Sequence, residues 1–207
     1  MPGTLLPHEM LDELTEMAGR IYDEVMRLDD ADIVFGNGMP PWAYIVEHSI
    51  DATVVGLVVG RRMLDEAALR ELATGLFIQD IGKLALPESI VLKPGPLAPD
   101  EWALIMKHPL LGLEFLRDDS VSAAAKSVVR SHHERWDGSG YPGALMGEEI
   151  SLFARIAAVA DVFDAVTSER YHARAVPAAE GVEIVRAGAG TAFDPSVAAA
   201  FLEAIAR

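Results

Sequence analysis

The chain has 207 residues, 51% of them hydrophobic, with no cysteine and a net charge of −15 at pH 7. That length and composition suit one large domain with a substantial core. The acidic balance excludes a general DNA or RNA binder, which needs a basic face over phosphates, and makes anionic membranes poor partners. Without cysteine, disulfides and thiolate chemistry are excluded, and any metal must be held by nitrogen and oxygen ligands.

No apolar run approaches the roughly 18 residues of a membrane span. The opening segment MPGTLLPHEMLDEL lacks a secretory signal, so a cytoplasmic protein is expected. The first helix is predicted over about Pro7 to Leu28. Its apolar positions Leu11, Leu14, Ala18, Ile21, Val25 and Leu28 form a heptad seam. Such a seam serves either an amphipathic helix packed on its own core or a homodimer joined through the N-terminal helix. Turn residues from Asp29 through Pro41 mark a boundary. Residues 1–40 therefore read as N-terminal helix and linker, and residues 41–207 as the main domain. Helices are predicted from about Trp42 to Leu64 and from Asp65 to Ile81. Leu84 to Pro99 holds four prolines and reads as a long irregular loop.

Pro99-Asp100-Glu101 opens the next helix, running to about Arg117. Asp119 or Ser120 is positioned to cap a helix that ends near Glu134. Ser151 is positioned to cap another, reaching Ser168, and shorter helices cover about Ala178–Ala187 and Pro195–Ala206. With no strand alternation and no internal repeat, the fold class is all-α.

Polar side chains interrupt these apolar helical segments at His48, Gln79, Asp80, Lys83, His108, His132, His133, Asp161 and Asp164. A carboxylate in an apolar run must be paired, hydrogen-bonded or metal-bound, because an isolated buried charge is too costly. Two such aspartates with four histidines favour a metal centre over a core salt bridge. His132 and His133 are adjacent, and helical neighbours point about 100° apart. One metal can use both only where the helix edge or its last turn faces a cleft. The stretch His132-His133-Glu134-Arg135-Trp136-Asp137-Gly138-Ser139-Gly140-Tyr141-Pro142 then lets backbone approach a ligand and offers Tyr141 as a flat surface.

This block, with QDIGKLALPESIVLKPGPLAPDEW, MKHPLLG, LFARIAAVADVFDAVTSER and GTAFDPSVAAAFL, resembles the HD-GYP domains of the HD phosphohydrolase superfamily, from about Trp42 to Phe201. The resemblance implies an HD-domain-type helical bundle and a cyclic di-GMP phosphodiesterase yielding pGpG or GMP. It also implies two divalent transition metals, iron or manganese. One metal is expected on His48, Gln79, Asp80 and Asp161, the other on His108, His132 and His133, with Asp80 bridging. An acid one helical turn before the first histidine supports a third metal in some members. Tyr44 stands there, so no third metal is expected. Lys83 and Arg170 are implied at phosphate and Tyr141 at the guanine pocket, and in RYHAR the family's next basic residue is either lost or shifted to Arg174. Gln79 departs from the family's histidine and weakens the first metal site, because an amide oxygen is a poorer donor than imidazole to these metals. Three readings follow: the phosphodiesterase, a catalytically weak module binding metal, nucleotide or a signalling partner, and hydrolysis of a different nucleotide.

Overall fold

In the computed structural model, residues 7–28, 44–116, 120–168 and 175–205 are described, with no side-chain description at positions 44 and 45. Among the described residues ten α-helices follow in chain order: α1 (His8–Val25), α2 (Tyr44–Gly60), α3 (Glu66–Phe77), α4 (Glu88–Val91), α5 (Pro99–Ile105), α6 (His108–Phe115), α7 (Ala123–Ser131), α8 (Leu152–Thr167), α9 (Ala178–Gly188) and α10 (Pro195–Ile205). Among the described residues there is no strand, only two isolated bridges. None of the described helices is long and apolar enough to cross a membrane.

α2 and α8 pack on each other and carry the main core. Leu57 from α2, Leu72 and Leu76 from α3, Ile156 and Phe163 from α8 and Phe201 from α10 meet in one fully buried cluster. A second cluster joins Leu11 and Ala18 of α1 to Phe77, Ile78, Leu116 and Val129. Burial of this kind, about 1.5–3 kcal/mol for each large apolar side chain, is what orders the helices.

The seam on α1 faces this core. Leu11, Ala18 and Val25 are buried, and Leu14 and Ile21 pack partly against the two clusters. A side chain inside its own core cannot also interlock with a second copy. Of the two uses open to the seam, Leu11, Ala18 and Val25 serve intramolecular packing, while Leu28 at its end is exposed.

Several predicted boundaries also change. The single helix expected from Pro99 to Arg117 is two, α5 and α6. Pro109 sits in the first turn of α6 and has no N–H to give the Ile105 carbonyl one turn back, so one helix cannot run on through it; that carbonyl accepts from His108 Nδ1 instead. The loop from Leu84 holds a 3-10 turn (Ile81–Ala85) and the one-turn α4. Ser122, rather than Asp119 or Ser120, caps α7 by accepting from the Ala125 N–H at 3.1 Å. Asp119 lies outside the described residues. α3 ends at Phe77, which leaves Gln79 and Asp80 beyond the regular helix.

Candidate metal centre

The candidate ligands stand at the ends of, or inside, five helices. His48 lies within α2, Asp80 just after α3, His108 at the first residue of α6 and Asp161 within α8. His132 is the C-cap of α7, with His133 next beyond it. Adjacent histidines can therefore address one point because they sit where the helix ends. Behind Asp80 the chain presses directly on α6: a Cβ on Gly82 would lie 2.5 Å from the Gly112 nitrogen. Glycine there sets the separation between Asp80 and His108.

The side chains converge. His108 Nδ1 donates to the Ile105 carbonyl at 2.8 Å, and His132 Nδ1 to the Val128 carbonyl at 3.0 Å. Both rings thereby present Nε2 lone pairs inward. His108 Nε2 lies 3.2 Å from Asp80 Oδ1 and 3.2 Å from His132 Nε2, and His132 Nε2 lies 3.7 Å from the same oxygen. One ligand atom from each of Asp80, His108, His132 and His133 falls within 4.8 Å of all the others. Two ligands bonded to one ion at about 2.0–2.2 Å are themselves about 3–3.5 Å apart, so these spacings fit a single cation.

On the other side of Asp80, His48 Nε2 lies 2.9 Å from Asp161 Oδ1 and 3.5 Å from Asp80 Oδ2. His48 Nδ1 donates to Asp164 Oδ2 at 2.5 Å. The Lys83 ammonium contacts Asp80 Oδ2 at 2.5 Å. His133 Nδ1 is 3.7 Å from Asp161 Oδ2, which ties the two halves together.

The protonation states suit cation binding. Burial alone would raise Asp80, but the Lys83 ammonium and the His108 and His132 rings beside it outweigh it and hold the carboxyl well below the usual range. Burial likewise opposes ionisation of Asp161, and His48 with His133 prevails, again downward. Burial lowers His108, and it lowers His133 well below the ordinary histidine value with help from His132. Neutral imidazoles beside ionised carboxylates are the ligand forms that metals need. Asp80 Oδ1 is buried without a hydrogen-bond partner, and so are both amide atoms of Gln79, which is fully buried. An orphaned buried polar group costs about 1–3 kcal/mol, a penalty that ligation would relieve.

Tyr141 stacks on His133 with centroids 4.8 Å apart. Both line a cleft of about 770 Å³ together with residues of α8 and α9. Burial, then Asp161 and Asp80, push the Tyr141 hydroxyl far above its ordinary value, so it stays a neutral phenol. Arg170 and Arg174 lie outside the described residues.

Three contributors escaped sequence reasoning. Glu134 is buried and accepts from the Gly143 and Leu145 N–H groups at 2.6 and 3.1 Å, which holds the Gly-rich loop against the histidines. Asp164 stood out as polar in an apolar run, but its bond to His48 did not. Trp102 carried no signal beyond an aromatic at a helix start, and it lines the cleft.

A profile of the HD domain family matches residues 41–197. A cyclic di-GMP phosphodiesterase of Pseudomonas aeruginosa is 40% identical over 78% of this chain and 39% of its own length. A cyclic di-GMP phosphodiesterase response regulator of Xanthomonas campestris is 36% identical over 98% of this chain and 53% of its own. A 3'3'-cGAMP-specific phosphodiesterase of Vibrio cholerae is 40% identical over 61% of this chain and 24% of its own. The chain thus spans about half, or less, of the length of these relatives. An HDG"Y"P protein from Bdellovibrio bacteriovorus shares the fold, with a TM-score of 0.72 at 17% identity over 97% of this chain and 65% of that one.

Proposed function

We propose that this chain, which belongs to the HD domain family and to its HD-GYP branch, is a metal-dependent cyclic di-GMP phosphodiesterase that opens its substrate to pGpG or GMP. The observation that carries the reading is the convergence of Asp80, His108, His132 and His133 beside a cleft of about 770 Å³, a size that accepts a small ligand.

In this reading Asp80 Oδ1, His108, His132 and His133 would hold one iron or manganese ion. His48, Asp161, Asp80 Oδ2 and the Gln79 amide oxygen would hold a second, weaker one. Divalent ions in such a pair acidify a water and neutralise charge gathering on phosphorus. The protein's own groups do the rest. Asp80 offers one oxygen to each side of the centre. Lys83, whose ammonium is 2.5 Å from Asp80, is assigned to a phosphate oxygen of the substrate. Tyr141 presents its ring to a guanine, and Arg170 and Arg174 grip phosphate.

Protein loaded anaerobically with iron or manganese should convert cyclic di-GMP to pGpG or GMP, and Asp80→Ala should abolish the conversion. No turnover by either loaded form would sink the enzyme reading. Gln79 favours a second reading, a module that binds metal and nucleotide without efficient turnover and serves a signalling partner. It places an amide with no hydrogen-bond partner where the family has imidazole. That reading expects about one tightly held metal per chain, and Gln79→His should raise the stoichiometry to two and restore turnover.

A further inference from the structure

We propose that Trp102 is a stacking platform for a nucleobase and sets the preference for nucleotides over diesters that carry no base. The proposal rests on the phosphodiesterase reading and adds a binding element that the metal centre does not supply.

The reason begins with α5 itself. None of its seven residues is buried. The helix is held from outside: Glu101 accepts from the Ala98 N–H at 2.7 Å and pairs with the Lys93 ammonium at 2.5 Å. A surface helix normally exists to cover a core with its apolar face. α5 instead leaves Trp102, its largest side chain, 48% exposed on the cleft. An exposed indole at the edge of a cleft is a poor core residue and a good binding surface.

Its position is specific. Trp102 meets the Tyr141 ring edge-on, with centroids 6.5 Å apart and planes at 81°. Tyr141 in turn lies nearly parallel to the His133 ring, at 27°. The aromatic surface therefore runs from a candidate ligand out to the cleft mouth and turns a corner at Trp102. The same cleft is lined by Ile184, itself 36% exposed, and by Ala187 and Gly188 of α9. A flat purine resting on the indole, in a cleft otherwise lined by small and aliphatic side chains of α9, is the ligand these residues suit. Stacking is tolerant of base identity, because every base has a π-face. Trp102 should thus favour nucleotides in general and leave guanine recognition to polar groups elsewhere. Three residues on, the Ile105 carbonyl orients His108. A merely structural role for Trp102 would act through that bond, so the test must separate the two.

The experiment uses the full manganese-loaded chain with cyclic di-GMP and with methyl p-nitrophenyl phosphate, a small diester without a base. Trp102→Ala should raise KM for cyclic di-GMP roughly 5- to 150-fold, the range for loss of one stacked base. Its kcat and its manganese content should stay within about twofold of wild type, as should its turnover of the small diester. Trp102→Phe should recover most of the KM. Equal losses on both substrates together with lost manganese would overturn the proposal in favour of structural support for His108. An unchanged KM for cyclic di-GMP would overturn it as well. If the wild type hydrolyses neither substrate, the functional reading falls, and binding alone decides the platform. GMP should then quench tryptophan emission in the wild type and not in Trp102→Phe; equal quenching in both would overturn it.

Discussion

His48 has its two ring nitrogens committed to opposite tasks, Nδ1 donating to Asp164 and Nε2 facing Asp161 and Asp80. Asp164 also accepts from the Ser168 hydroxyl at 2.7 Å, which fixes its own orientation. The pair works as a positioning device, because a carboxylate on the far nitrogen sets the tautomer and strengthens the near one as a donor. Asp164→Asn keeps the shape and removes the charge. Manganese affinity of the weaker site should fall about 10- to 100-fold, measured by competition with a chelator, while the site on His108, His132 and His133 serves as an internal control. Equal retention at both sites would show that Asp164 does not act through His48. The candidate ligands, histidines and acids in apolar runs, were legible residue by residue. Their partners were not, since His48 and Asp164 lie 116 positions apart and nothing in local pattern joins them.

At the scale of elements, boundaries decide the site more than helix interiors do. Asp80 follows the end of α3, His108 opens α6, and His132 caps α7. Periodicity could see the helices and the all-α class, yet it ran α5 and α6 together. The apolar pattern continues through the break, and only the local effect of Pro109 divides it. It also left the α1 seam open between two uses, because a heptad looks the same whether its partner is another copy or α3. The contact of the 3-10 turn with α6 was equally invisible in sequence. Gly82→Ala should force that contact apart, for its Cβ would lie 2.8 Å from the His108 carbonyl carbon and closer still to its oxygen. Overpacking of this kind costs about 1–3 kcal/mol, with backbone shift. Urea unfolding should show that loss, and manganese binding at the His108 site should weaken with it. Wild-type values for both would mean that the turn and α6 can separate freely.

For the molecule as a whole, the centre makes stability depend on pH in two opposed ways. Asp80 and Asp161 titrate below their ordinary values when folded, so their stabilisation holds above the usual carboxylate pKa and is lost as pH falls. Depressed His108 and His133 add an earlier loss on acidification, starting near the ordinary histidine value of about 6.5, because the unfolded chain takes up protons that the folded one refuses. Asp51 runs the other way. Burial, then Asp164 and Glu47, raise it to about 7 against the pull of His48, and its Oδ2 has no hydrogen-bond partner. Its contribution is complete below the ordinary carboxylate pKa and is lost as pH rises through about 7. With a chelator present throughout, Asp51→Asn should raise the melting temperature relative to wild type by an amount that grows from about pH 4 to 7 and levels off above. A gain independent of pH would show that the Asp51 charge is not the cause. The candidate donors are spread over five helices. Each ligand is held by the packing of its own helix rather than by its neighbours at the centre. Loops between them can change length without moving any donor, and a single donor can be exchanged while the scaffold stands. Gln79 is the kind of change such an architecture permits: a lineage can retune its chemistry one ligand at a time and keep its fold.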